Sequence, residues 1–177
     1  GSGKTASYVL PILMNCQGIN VSKNRHINVL VLVPTRELAV QVREVFHLFG
    51  SDLPKRVKSM AVYGGVSINP QMIALQGVNI LVATPGRLLE LVNSNAVHLS
   101  GIDTLVLDEA DKMLNLGFED EMKRIIAMLP KKRQNLLFSA TLSENVENIH
   151  QLFLHNPVII KIDAEDDNIE LISQSAY

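Results

Sequence analysis

The stretch "TLVLDEADKML", Thr104 to Leu114, places three carboxylates, Asp108, Glu109 and Asp111, within four positions at the end of a short apolar run. Acidic side chains favour the first turn of a helix, where the dipole is positive, so the cluster alone is compatible with an ordinary helix start. The opening residues, "GSGKTASYVLPIL", give it a partner. Gly-x-Gly-Lys-Thr ahead of an amphipathic helix is the second half of a phosphate-binding loop. There the backbone of Gly1, Ser2 and Gly3 cradles phosphate at a helix N-terminus, Lys4 reaches the β- and γ-phosphates, and Thr5 is a ligand for Mg²⁺. A triphosphate carried with Mg²⁺ needs a carboxylate at the end of a neighbouring strand. Asp108 is placed to hold that metal and Glu109 to orient or deprotonate an attacking water.

Other strand ends carry donors. "PTRELAVQ" supplies Thr35 and Arg36, and "TPGR" supplies Thr84, Gly86 and Arg87; each combines a hydroxyl, an arginine and a helix start suited to phosphate oxygens. In "YGG", Gly64 and Gly65 allow close backbone approach to a ligand. Each has a structural explanation of its own, as N-cap, turn proline or positive-φ glycine. Together they point to a long phosphate-bearing polymer. "SAT" adds Ser139 and Thr141, whose hydroxyls are placed to bond the Asp111 carboxylate and sense the metal site.

These residues need a scaffold that brings strand ends together. Short β-rich runs recur at Val29–Val33, Ser59–Tyr63, Asn79–Ala83, Thr104–Asp108, Asn135–Ser139 and Val158–Ile162. Several are almost continuously apolar, as parallel strands covered on both faces are. Between them Leu38, Val42, Val45, Phe46 and Phe49 mark one helical stripe, and Phe118, Met122, Ile125, Ile126 and Leu129 another. Alternating strands and helices imply an α/β fold, a doubly wound and mainly parallel sheet with helices on both faces. Ligands bind such sheets at the strands' carboxyl ends.

The 177 residues suit one domain, and 47% hydrophobic with 19% charged residues excludes a disordered chain. A net charge of −2 excludes a broad basic surface, so a nucleic acid must be gripped by local donors. One cysteine, Cys16, allows no internal disulfide, and the five histidines show no metal spacing. No run reads as a membrane span or a signal peptide. The acidic stretch "DAEDDNIELISQSAY", residues 163–177, reads as the start of a linker.

In this order, "GSGKT", "PTRELA", "GG", "TPGR", "DEAD" and "SAT" resemble the first RecA-like domain of a DEAD-box RNA helicase, and the resemblance covers essentially the whole chain. "KMLNLGF" and "LLFSAT" strengthen it, "ISQSAY" resembles the start of the interdomain link, and the loop lengths resemble the RhlE-type bacterial branch. The resemblance implies a P-loop NTPase fold, with residues 1–162 a first core domain lacking its opening strand and the start of the phosphate loop. Residues 163–177 then begin a linker to a second RecA-like domain that this chain lacks. It implies ATP and Mg²⁺ as cofactors: Lys4 and Thr5 on phosphates and metal, Asp108 on the metal largely through water, Glu109 as catalytic base. Ser139 and Thr141 would couple nucleotide state to RNA through Asp111. Thr35, Arg36, Gly64, Gly65, Thr84, Gly86 and Arg87 would grip the backbone of one RNA strand, whose bending separates short duplexes. The location implied is intracellular, in the cytoplasm or, in a eukaryote, the nucleus. Alone, without the second domain's arginines, the chain is expected to be nearly inactive.

Overall fold

A computed structural model describes residues 3–18, 27–141 and 157–161. Among the described residues five strands form one sheet: β1 (Val29–Leu32), β2 (Ser59–Val62), β3 (Ile80–Ala83), β4 (Thr104–Leu107) and β5 (Gln134–Leu137). Their spatial order is β2-β3-β1-β4-β5, and every pairing is parallel. Between and around them run α1 (Lys4–Gly18), α2 (Arg36–Gly50), α3 (Asn69–Ala74), α4 (Pro85–Asn93), α5 (Ala110–Asn115) and α6 (Glu119–Ala127).

Strand alternation sorts the core into two layers, because successive side chains point to opposite faces. Val29, Val31, Ile80, Val82 and Val106 pack under α1 and α2, against Tyr8, Ile12, Val42 and Phe46. Leu30, Leu32, Leu81, Leu105 and Leu107 face the other way, onto Leu88 and Leu91 of α4, Met113 of α5 and Met122 and Ile125 of α6. The three central strands, buried on both sides, are the nearly continuous apolar runs of the sequence. The α/β fold with helices on both faces is therefore the one expected.

Two expectations meet differences. Val158–Lys161, the described part of the sixth expected strand, forms no strand, and Val158 and Ile160 are 89% and 82% exposed. β-branched composition makes a strand only where a neighbour and a buried face are available. Phe49, assigned to the buried stripe of α2, is 42% exposed while Phe46 is buried; it lies in the last turn of the helix. The second stripe forms α6 as read, with Phe118 at its N-cap; ahead of it Gly117 at φ +83° ends α5, with Phe118 N–H donating to the Met113 carbonyl.

Candidate nucleotide and nucleic-acid site

All the singled-out residues that the structure describes lie at helix starts or just beyond the carboxyl ends of strands. Gly1 and Ser2 lie outside the described residues, as does the stretch from 163 onward. Gly3 has φ +70°, and Lys4 starts α1. The first backbone bond of the helix runs from Ser7 N–H to the Gly3 carbonyl. The amides of Lys4, Thr5 and Ala6 therefore have no acceptor among the described residues, and the first turn carries no acidic side chain. Free amides at the positive end of a 15-residue helix make an anion site when Lys4 stands beside them.

The three carboxylates of "DEAD" do not form one cluster; each takes a different partner. Asp108 ends the central strand β4, is 4% exposed, and its Oδ2 accepts a 2.8 Å hydrogen bond from the Tyr8 hydroxyl of α1. Burial raises the Asp108 carboxyl above the usual carboxylate range, while the Tyr8 bond and the charge of Lys4 oppose the rise. Burial also pushes the Tyr8 phenol well up, so it remains a donor, and Thr5 bears on the same hydroxyl. Tyr8 is held between Phe46 and Phe138, ring centroids 6.4 and 5.1 Å away. The hydroxyl thus ties the metal-side carboxylate to the helix that carries Lys4 and Thr5.

Glu109 follows in the left-handed region at φ 52° and ψ 50°, rare for a residue with a Cβ and a strain that the flanking structure must hold. The flanks do so: Asp108 N–H donates to the Leu32 carbonyl, and Ala110 N–H to the Phe138 carbonyl. At this bend the partly exposed Glu109 side chain meets Lys112 at 2.9 Å. An exposed pair of this kind stabilises little and leaves the carboxylate free to swing. Asp111 takes the third direction, its Oδ2 accepting from the Thr141 hydroxyl at 3.2 Å, while its Oδ1 is buried with no partner. Ser139 does not reach Asp111: its hydroxyl donates to the Thr141 carbonyl at 2.6 Å and so shapes the turn that presents Thr141.

The other half of the carboxyl edge is built from loops tied to one another. Thr35 caps α2, its Oγ1 accepting from Leu38 N–H at 3.2 Å. Arg36 lies with its guanidinium carbon 5.0 Å from the centroid of the Tyr63 ring. Tyr63 is itself fixed through its backbone, the Gln71 side chain accepting from its N–H and donating to its carbonyl, both at 3.1 Å. Gly65 then turns the chain at φ +79°, and a side chain built on Gly64 would meet nothing. Thr84 opens α4 without using its hydroxyl as a cap, Pro85 holds the first helical position, and Gly86 leaves the backbone open. Arg87 is buried at 6% exposure. Its Nε donates to Glu90 at 2.8 Å, its Nη2 to the Val66 carbonyl at 2.7 Å, and its Nη1 is buried without a partner among the described residues. It therefore fastens the Gly64–Gly65 loop to α4.

Among the described residues, no three His, Cys, Asp or Glu groups are gathered to hold a metal by themselves. The oxygens present, the Asp108 carboxylate and the Thr5 hydroxyl at the start of the helix whose Tyr8 bonds Asp108, suit a hard cation that keeps water and phosphate ligands, as Mg²⁺ does. Sequence reasoning missed Tyr8, Gln71 and the Val66 carbonyl. A tyrosine in the otherwise apolar stripe of α1 was the available signal, since a buried hydroxyl must find a partner.

Residues 1–149 match the DEAD/DEAH box helicase family model. The chain is 45% identical over 175 residues to the DEAD-box ATP-dependent RNA helicase CshA of Streptococcus pneumoniae, covering 98% of this chain and 32% of that protein. It is 44% identical over 169 residues to DEAD-box ATP-dependent RNA helicase 20 of Arabidopsis thaliana, covering 94% and 33%. The crystal structure of a DEAD box protein from the hyperthermophile Methanococcus jannaschii superposes with a TM-score of 0.79 at 38% identity, over 88% of this chain and 41% of that one. The chain thus spans about a third of the length of the curated relatives it matches. Its fold, its ordered strand-end motifs and these likenesses agree: the chain belongs to the DEAD/DEAH box helicase family.

Proposed function

We propose that this chain is the first RecA-like core domain of an ATP-dependent RNA helicase, binding Mg-ATP and the backbone of a single RNA strand for local duplex separation. The observation that carries the reading is the juxtaposition at the sheet's carboxyl edge. The start of α1, with Lys4 and Thr5, is bonded through Tyr8 to the buried Asp108. Donor loops occupy the same edge on the far side of β1. Gly1, Ser2, Gly3 and Lys4 hold phosphates, and Thr5 and Asp108 hold Mg²⁺, which screens phosphate charge when bound. Glu109 accepts a proton from the attacking water. Thr141 reads nucleotide state through Asp111, with Ser139 setting its turn.

The polymer is gripped by main-chain donors around Thr35, Gly64, Gly65, Thr84 and Gly86. Arg36 and Arg87 take part in the grip by fixing those loops. Such a grip touches no base edge, so it selects for backbone rather than sequence. A second RecA-like domain completes the machine and supplies the arginines that stabilise the transferring phosphoryl group. Residues 1–162 form the core domain and 163–177 lead toward its partner. An RhlE-type branch rests on loop lengths alone, and a cytoplasmic location on the family likeness.

The test is ATP turnover by a protein carrying both core domains, without nucleic acid, with single-stranded RNA, and with single-stranded DNA. Stimulation by RNA alone is expected. Equal stimulation by DNA would make this a DNA-directed motor, and RNA binding without turnover would make it a clamp.

A further inference from the structure

The far edge of the sheet carries a second feature, remote from the carboxylates. Among the described residues β2 has one neighbour, β3, and ladder parity decides which of its backbone groups are used. The Lys58 carbonyl accepts from Ile80 N–H and the Val62 carbonyl from Thr84 N–H, so even-numbered residues face β3. Ser59, Ala61 and Tyr63 therefore turn their N–H and C=O groups to the open edge. At Tyr63 both are taken by the Gln71 amide, which stands in for a neighbouring strand. At Ser59 and Ala61 neither the N–H nor the C=O has a partner among the described residues. Edges are usually blunted by charge, bulge or cover, and here the cover stops after one residue.

What lies beside the uncovered pair is a groove of about 390 Å³, walled by Val40 and Arg43 of α2 on one side and by Lys58 and Ala74 on the other. That volume falls within the roughly 300–1,000 Å³ of ordinary ligand sites. Lys58 is pinned there, its ammonium donating to the Ala74 and Gln76 carbonyls at 2.9 and 2.7 Å. Arg43 is half-buried and makes no hydrogen bond or ion pair among the described residues. The lining thus holds two cations and no carboxylate.

We propose that this groove docks an extended acidic peptide, which adds to β2 as a further strand. Its main chain pairs with Ser59 and Ala61, and a carboxylate meets Arg43. Alternating unpaired donors and acceptors select a peptide over RNA, because an extended peptide repeats one N–H and one C=O at ladder spacing and a sugar-phosphate backbone does not. Charge selects the acidic side chains. The groove lies beyond the nucleotide motifs, so its occupant recruits the protein without contacting ATP.

The full chain, labelled for amide exchange, is titrated with capped hexapeptides alternating Glu with Val, with the corresponding Lys–Val peptides, and with an oligouridine. The acidic peptides are expected to slow exchange at Ser59 and Ala61 by tenfold or more, leaving Val62, already paired to β3, unchanged. Arg43→Glu is expected to weaken acidic-peptide binding by about tenfold, as loss of a charge-assisted hydrogen bond does. Ala61→Pro removes an outward N–H at an edge position, where proline is tolerated, and is expected to abolish binding. If that variant fails to fold, Arg43→Glu still decides. Equal binding of the lysine peptides, no protection by any peptide, or protection of these amides by oligouridine alone would each overturn the proposal.

Discussion

The two halves of the sheet's carboxyl edge are organised by opposite means. On the β4–β5 side, side chains are the working groups, and the fold holds them apart: Asp108 against Tyr8, Glu109 against Lys112 at a φ 52° bend, Asp111 against Thr141. On the β1–β2–β3 side, side chains are largely spent on the scaffold. Thr35 caps a helix, Arg36 packs on Tyr63, and Arg87 is buried between Glu90 and the Val66 carbonyl. Hydrolysis needs individual groups with distinct charges and protonation states, whereas gripping a uniform polymer needs only a repeated array of backbone donors. The contrast implies that substitutions on the first side change chemistry and those on the second change the shape of a surface.

The largest effect expected is on chemistry. Glu109→Gln, in a protein with both core domains, is expected to leave ATP binding intact and lower turnover by roughly 10²–10⁴-fold, the usual contribution of a general base. Its pair with Lys112 is exposed and contributes little to folding, so the melting temperature should hold. Near-normal turnover would remove Glu109 from the role and break the contrast at its strongest point.

On the other side, Arg87→Ala should act on structure first. It deletes two hydrogen bonds from a buried guanidinium and leaves the Val66 carbonyl without its donor. The expected loss is about 1–3 kcal/mol of stability. RNA binding should weaken for all sequences alike, with the log–log salt slope falling by less than the ~0.7 that one direct single-strand phosphate contact contributes. A full drop of that size with unchanged stability would instead place phosphate on the Nη1 atom. A sequence-selective loss would contradict a backbone grip.

Tyr8→Phe probes the link that joins Asp108 to the phosphate-loop helix. Asp108 is raised by burial and held back by the Tyr8 bond, so the phenylalanine variant should raise it further. The sign follows from proton linkage. A carboxyl raised on folding makes the folded state bind more protons, so stability falls as pH rises from the unfolded value of about 4 through the folded one. The variant should extend that fall to higher pH. It should cost about 1–3 kcal/mol at neutral pH, shrinking toward zero below about pH 4, where Asp108 is protonated in both states. Denaturant midpoints across pH check this. A difference that does not vary with pH would mean that Tyr8 serves only packing between Phe46 and Phe138.

What the sequence made legible follows the same division. Central strands such as Val29–Leu32 and Ile80–Ala83 were readable because burial on both faces forces a continuous apolar run. β5, half-buried among the described residues, carries a weaker pattern, and residues 158–160 carry an equally strong one that no described residue covers. The motif residues were readable because phosphate chemistry restricts residue types at strand ends. Their pairings were not. Tyr8 and Asp108 are 100 positions apart, and Gln71 completes the Tyr63 edge from a six-residue helix that no stripe announced. Ser139 and Thr141 looked equivalent, and only the turn geometry shows that one presents the other.

The smallest effect tests whether the two halves communicate at that turn. Thr141 is exposed, and its bond to Asp111 is single and 3.2 Å long, so Thr141→Val should cost less than about 1 kcal/mol of stability. Asp111 Oδ1 is already buried without a partner, so losing the bond to Oδ2 leaves the carboxylate with no fixed orientation. RNA-free ATP turnover should therefore change little, since neither Asp108 nor Glu109 touches Thr141. The ratio of RNA-stimulated to RNA-free turnover should fall by roughly fivefold, the size of a coupling of about 1 kcal/mol. Ser139→Ala keeps the Thr141 hydroxyl but loosens its turn, and should lower the ratio by less. If both variants keep the full ratio, coupling runs through another contact, and the Asp111–Thr141 bond joins the scaffold with Arg87.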